Sequence, residues 1–70
     1  MQVIVVDVDE FGVGFVRDLH TVFPQLRIVA LSKSSTTLAA ALRNGATVAL
    51  PRSTAPATLA KVIAKLLKRG

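Results

Sequence analysis

The stretch Val3-Ile4-Val5-Val6-Asp7-Val8-Asp9-Glu10 sets the terms for the rest of the chain. Four apolar β-forming residues run without a break into acid. A continuous Val/Ile run of this kind fits a strand buried on both faces, as in a parallel sheet covered by helices. Three of the chain's four acidic residues, Asp7, Asp9 and Glu10, gather at its C-terminal end. In open α/β sheets, ligands and chemistry collect at the C-terminal ends of strands. Asp7 therefore becomes informative if later strands end in residues able to work with it.

Two later runs do. Leu26 to Leu31 is apolar apart from Arg27 and leads into Ser32-Lys33-Ser34-Ser35-Thr36. Ala46 to Leu50 is shorter and leads into Pro51-Arg52-Ser53-Thr54. Between the runs the apolar spacing turns helical. Phe15, Val16, Leu19, Val22 and Phe23 form one stripe, ended near Phe23 because Pro24 disfavours helical dihedrals before it. Leu38, Ala41 and Leu42 form a second, capped by the hydroxyl cluster and stopped by Gly45. Leu59, Val62, Ile63, Leu66 and Leu67 form a third, with Pro56 in its first turn and Ser53-Thr54 as its loop and cap. Asp9 to Gly12 reads as a loop. Gly12 and Gly14 do not make a dinucleotide fingerprint, since no third glycine follows and acid precedes them; they predict a turn with close backbone approach. The plan is β-α-β-α-β-α over residues 1–70, one α/β domain with a three-stranded parallel sheet in three layers.

Composition narrows the function. Seventy residues sit near the lower limit for a self-sufficient core. No cysteine is present, which excludes disulfides and thiolate metal sites and fits a cytoplasmic protein. No apolar run approaches the ~20 residues that span a bilayer, and no basic n-region of a signal peptide opens the chain. The net charge is +5, but Lys61, Lys65, Lys68 and Arg69 crowd the final turns, where they complement a helix C-terminus. No aromatic residues interleave with the cations, and no helix-turn-helix reader is present. Both points argue against direct nucleic-acid binding by this segment. His20 has no visible partner and reads as a solvated surface residue. No base–nucleophile pair is evident, which argues against an enzyme.

Parallel strands bring their C-terminal ends to one rim, which collects Asp7, Asp9 and Glu10, then Ser32 and Lys33, then Arg52. A carboxylate can accept a phosphoryl group; a hydroxyl and a cation can bind its oxygens. At this point the chain resembles a response-regulator receiver (CheY-like) domain over essentially its whole length. Val-Ile-Val-Val-Asp-Val-Asp is similar to the family's central strand, which makes Asp7 the phospho-acceptor candidate. Asp9 falls where the family's backbone carbonyl helps to hold magnesium. Pro-Gln-Leu-Arg-Ile-Val-Ala-Leu-Ser resembles the fourth strand, with Ser32 as the Ser/Thr switch. Ala-Leu-Arg-Asn-Gly-Ala-Thr-Val-Ala-Leu-Pro-Arg resembles the fourth helix and fifth strand, with Arg52 in place of the phosphoryl-contacting lysine.

The departures from the family are equally specific. Its first strand, first helix and second strand have no counterpart, so the acidic pair that binds magnesium is missing. Asp7 and Asp9 are left as a weak Mg2+ set. Arginine keeps the lysine's charge but presents a planar fork. The aromatic switch position falls on Val48 or Ala49. The resemblance therefore implies a truncated flavodoxin-like receiver fold, degenerate in phosphotransfer, with a histidine kinase or an output domain as partner. An interaction module on the same scaffold is the alternative. Right-handed crossovers in sequential strand order place the first two helices on one face and let the last cover only part of the other. The edge formed by Val3, Ile4, Val5 and Val6 would then be open, and a homodimer is expected that covers this strand or the open face, by edge pairing, helix packing or exchange of elements.

Overall fold

The computed structural model describes residues 2–68. Three strands, β1 (Val3–Asp7), β2 (Arg27–Ser32) and β3 (Val48–Pro51), form one parallel sheet in the order β1-β2-β3. Val3 pairs with Arg27 and Asp7 with Leu31; Val29 pairs with Val48 and Ser32 with Pro51. The helices are α1 (Val8–Phe11), α2 (Val13–Val22), α3 (Ser35–Arg43) and α4 (Pro56–Lys68). Among the described residues no helix is long and apolar enough to cross a membrane.

Strand periodicity divides the sheet into two faces. The even-numbered residues Ile4, Val6, Ile28 and Ala30, with Ala49 of β3 in register with Ala30, lie in one cluster with Val13, Val16 and Leu19 of α2 and Ala41 of α3. Ile28, Val16 and Ala30 are fully buried there. Ile28 and Val16 each contribute roughly 1.5–3 kcal/mol of transfer free energy. The odd-numbered face of β1 and β2 is partly covered by α4. Arg27, which breaks the apolar pattern of β2, donates from its guanidinium to the carbonyl of Leu66 near the end of α4. That carbonyl belongs to the last described turn of α4. Leu66 and Val29 are buried on this side, while Val5 at the sheet edge remains 39 % exposed. The two-plus-one distribution of helices matches the expectation from right-handed crossovers.

Three local readings need correction. Asp9 to Gly12 is not a loop: Val8–Phe11 is a short helix. Asp7 caps it, its Oδ1 accepting the Asp9 N–H at 3.1 Å, and Asp9 and Glu10 sit in the first turn where the helix dipole favours acid. Gly12 then joins α1 to α2 at φ 84°, ψ 157°. It is required for that backbone conformation and not for close approach, since a Cβ there would meet nothing within 4 Å. Strand β3 starts at Val48, two residues later than the apolar run, because Thr47 turns its side chain into the ladder. Its Oγ1 accepts the Ile28 N–H at 3.1 Å while its own N–H donates to the Ile28 carbonyl at 2.8 Å. Finally, Thr54 does not cap α4: its hydroxyl donates to the Pro51 carbonyl at 2.6 Å and closes the preceding turn.

Candidate functional site

The C-terminal ends of the three strands converge on one rim. Asp7 ends β1, Ser32 ends β2, and Arg52 follows β3 directly. The main chain fixes their spacing, since the Arg52 N–H donates to the Ser32 carbonyl at 2.9 Å. Asp9 reaches the same place from the first turn of α1.

Each carboxylate oxygen of Asp7 and Asp9 has a partner within the chain. Asp7 Oδ1 accepts the Asp9 N–H, and Asp7 Oδ2 lies 3.0 Å from Arg52 Nη2. Asp9 Oδ1 accepts the Ser32 hydroxyl at 2.6 Å. Asp9 Oδ2 accepts the Lys33 N–H at 2.9 Å and lies 4.0 Å from Arg52 Nη1. The Ser32 hydroxyl, on a residue 1 % exposed, also accepts the Ser34 N–H at 3.0 Å. Ser34 in turn caps α3, its hydroxyl accepting the Thr37 N–H at 3.2 Å. The expected capping role of the hydroxyl cluster is thus carried by Ser34, while Ser32 turns toward Asp9.

These bonds hold the Asp9 carboxyl below its usual range. The largest cause is the Ser32 hydroxyl and the next is the Lys33 N–H; partial desolvation opposes them, and the charges of Arg52 and Lys33 add to the lowering. Asp9 is therefore an anchor that ties α1 to the β2–α3 turn by its side chain, a role distinct from the carbonyl contribution that the resemblance implies.

A divalent cation needs several oxygens free to turn toward it. Asp7 and Asp9 already direct theirs to protein donors, and Arg52 places a fixed positive charge on Asp7. Among the described residues no group of three or more His, Cys, Asp or Glu side chains is placed to hold a metal. The residues present do not fit magnesium in this arrangement. Between the ends of β2 and β3, an open cleft is lined by Ser32, Lys33, Pro51, Arg52 and Ser53. His20 is exposed, as expected, and lies against Gly45 on the far side of α2, apart from the rim.

The sequence placed Asp7, Ser32 and Arg52 on one rim but missed the side-chain role of Asp9 and the Lys33 N–H. A signal was available. Asp7-Val8-Asp9-Glu10 has an aspartate followed three residues later by glutamate, the pattern of a helix start. Once α1 begins at Val8, Asp9 is carried toward the end of β2.

No protein-family model matches the sequence, and no curated protein matches it. Among solved structures the chain is similar to the crystal structure of NtrX from Brucella abortus in complex with ADP, with a TM-score of 0.84 and 20 % identity. The similarity covers 96 % of this chain and 16 % of the NtrX chain. The fold is receiver-like: a three-stranded parallel sheet of the truncated flavodoxin-like class.

Proposed function

We propose that the chain is a regulatory module of a two-component signalling or transcriptional system that acts through homodimerisation and not through phosphotransfer. It is a regulator and not an enzyme, and it works in the cytoplasm beside a histidine kinase or an output domain. The observation that carries this reading is the internal saturation of the rim. Phosphoryl transfer depends on positioning and on electrostatic stabilisation of the transferred group. Here Arg52 is already spent on Asp7, and the Ser32 hydroxyl on Asp9. A phosphoryl donor approaching Asp7 must displace the guanidinium and find its hydroxyl contact committed elsewhere. The rim stabilises the fold with the groups that would serve the chemistry.

The test is incubation with acetyl phosphate and magnesium, followed by intact-mass measurement. The expected result is no labile mass gain in the native chain. A gain that disappears in Asp7→Asn overturns the proposal and assigns the chain to active receivers. The alternative, a protein-interaction or dimerisation module on the same scaffold without phosphorylation, leaves the acidic rim as a relic and predicts the same absence of mass gain.

A further inference from the structure

The homodimer of the reading above can cover either the first strand or the open sheet face, and the geometry of the strand edge decides between them. The Arg27 N–H donates to the Gln2 carbonyl at 3.2 Å. In a parallel ladder, alternate residues turn both N–H and C=O toward the same neighbour. Gln2, Ile4 and Val6 therefore face β2, and Val3, Val5 and Asp7 direct their backbone groups to the edge, where no described strand lies. An uncovered strand edge is a template for another strand.

Beside that edge runs an exposed apolar stripe. Val16 of α2 points into the core, and His20 lies against Gly45 on the α3 side. That fixes the roll of α2 and turns Phe15, Leu19 and Val22, at i, i+4 and i+7, to the opposite flank. Phe15 is 37 % and Val22 66 % exposed. Val3, Ile4, Leu19, Val22, Phe23 and Leu67 line a continuous open groove here. Phe11 stacks against Phe15 with ring centroids 5.3 Å apart and extends the stripe to the other end of β1.

Charge favours a second copy as the occupant. At the C-terminal end of β1 stand Asp7, Asp9 and Glu10; Arg52 lies 3.0 Å from Asp7 and 4.0 Å from Asp9, so the exposed carboxylate of Glu10 carries the acidic charge there. At its N-terminal end lies the last turn of α4, with Lys65 and Lys68, placed there by the Arg27–Leu66 bond and by Leu67 in the groove. The edge thus has an acidic and a basic pole. A two-fold axis normal to the sheet makes two β1 edges antiparallel and brings each acidic pole to the other copy's basic pole. The same operation lays the α2 stripes side by side, Phe15 of one near Val22 of the other.

We propose that this edge binds a second copy of the chain, with the two β1 strands antiparallel and Val5 opposite its own counterpart, to give a sheet continuous across the dimer. Val5 facing Val5 is the register in which all three outward residues pair, Val3 with Asp7 on either side. This inference rests on the homodimer reading and assigns its surface.

Four proteins test it by sedimentation equilibrium and oxidative cross-linking: the native chain, Val5→Pro, the double variant Phe15→Glu/Val22→Glu, and Val5→Cys with Thr58→Cys as its control. Val5→Pro removes an N–H that faces the edge and takes nothing from the β1–β2 ladder. The native chain is expected to sediment as a dimer. Val5→Pro and the helix double variant are expected to raise the dissociation constant by about tenfold or more. The chain has no cysteine of its own. Val5→Cys should form a disulfide-linked dimer on oxidation, because Cα atoms about 5.5 Å apart suit a disulfide; Thr58→Cys, exposed on α4, should not. A native dimer that persists in both Val5→Pro and the helix double variant overturns the surface and leaves the homodimer standing. So does a Val5→Cys chain that does not cross-link. A monomeric native chain overturns both. If circular dichroism shows Val5→Pro unfolded, the helix variant and the cross-link decide.

Discussion

Gly45→Ala should cost this fold more than any other single methyl group. Gly45 follows the cap of α3 at φ 113°, where an L side chain is strained, and an added Cβ would lie 2.4 Å from His20 Cγ, 2.6 Å from His20 Cβ and 2.7 Å from His20 Cδ2. The backbone term is about 1 to 2 kcal/mol. The contact term falls in the range of small-to-large substitutions at packed sites, about 1 to 3 kcal/mol. His20 cannot escape by rotating its ring, because its Cβ is one of the obstacles, so α2 must shift away from α3. The sum, roughly 2 to 5 kcal/mol, is a large part of the roughly 3.5 to 10 kcal/mol typical of a chain this long. Urea denaturation followed by far-UV circular dichroism measures it, with the slope checked for two-state behaviour. The decisive comparison is His20→Gly, which removes the obstructing atoms. Alone it should cost under about 1 kcal/mol as a helix glycine. Combined with Gly45→Ala it should return about 1 to 3 kcal/mol of the loss. If the two changes add without coupling, or if Gly45→Ala alone costs less than about 0.5 kcal/mol, the close approach of α2 to the α3–β3 turn is refuted. The roll of α2 that exposes Phe15 and Val22 would fall with it.

The other predictions concern polar groups placed at sheet and helix ends. Thr47→Val leaves the N–H of fully buried Ile28 without its acceptor and should cost about 1 to 3 kcal/mol, while Thr47→Ser should retain most of the stability; parallel urea titrations compare them. Arg27→Met keeps the apolar stem but removes the donor to the Leu66 carbonyl, so hydrogen exchange should accelerate in the last turns of α4 and leave β2 protected. Asp9 has a folded-state pKa below its unfolded value, so its contribution is fully present above the unfolded carboxylate range near about 3.9 and is lost as pH falls through the lowered folded value. Stability measured from pH 7 down to 3 should therefore carry an acid-side loss that is smaller in Ser32→Ala, whose missing hydroxyl is the main cause of the shift. An unchanged acid limb in Ser32→Ala would contradict that assignment.

What could be read from the sequence followed the strength of the local signals. The runs Val3–Val6 and Leu26–Leu31 both form parallel strands as read, but the expectation that Val3–Val6 is buried on both faces fails, because β1 is an edge strand and Val5 is 39 % exposed; Gly45 reads as a helix stop. The order of strand ends then brought Asp7, Ser32 and Arg52 together. The start of α1 was legible only as a cap pattern in a stretch whose acids had been read as chemistry. The apolar stripe of α2 was located correctly but its burial was not: Val16 is fully enclosed while Val22 and Phe23 are 66 % and 55 % exposed. Periodicity identifies a hydrophobic face; it does not say how much sheet lies beneath it. A three-stranded sheet is narrower than the helix stripe, so part of the stripe overhangs β1.

That overhang and the saturated rim have a common origin in the position of β1. Among the described residues it is an edge strand with one neighbour, β2, and no described sheet covers its outward backbone groups or the flank of α2. At its end, Asp7 and Asp9 form their contacts with β2 and with the residue that follows β3: Asp9 with Ser32 and Lys33, Asp7 with Arg52. All of these contacts pull β1 toward the sheet it already belongs to. None reaches across the open edge. The polar groups at the strand ends therefore fix the three strands to one another, and in the proposed dimer recognition falls to the backbone edge, to the Phe15–Val22 stripe and to Glu10 against Lys65 and Lys68. A surface of this kind reads shape and strand direction more than side-chain identity, so a partner must offer an antiparallel strand, an apolar helix flank and poles of inverted charge together. In the proposed dimer the chain's own two-fold image meets all three conditions.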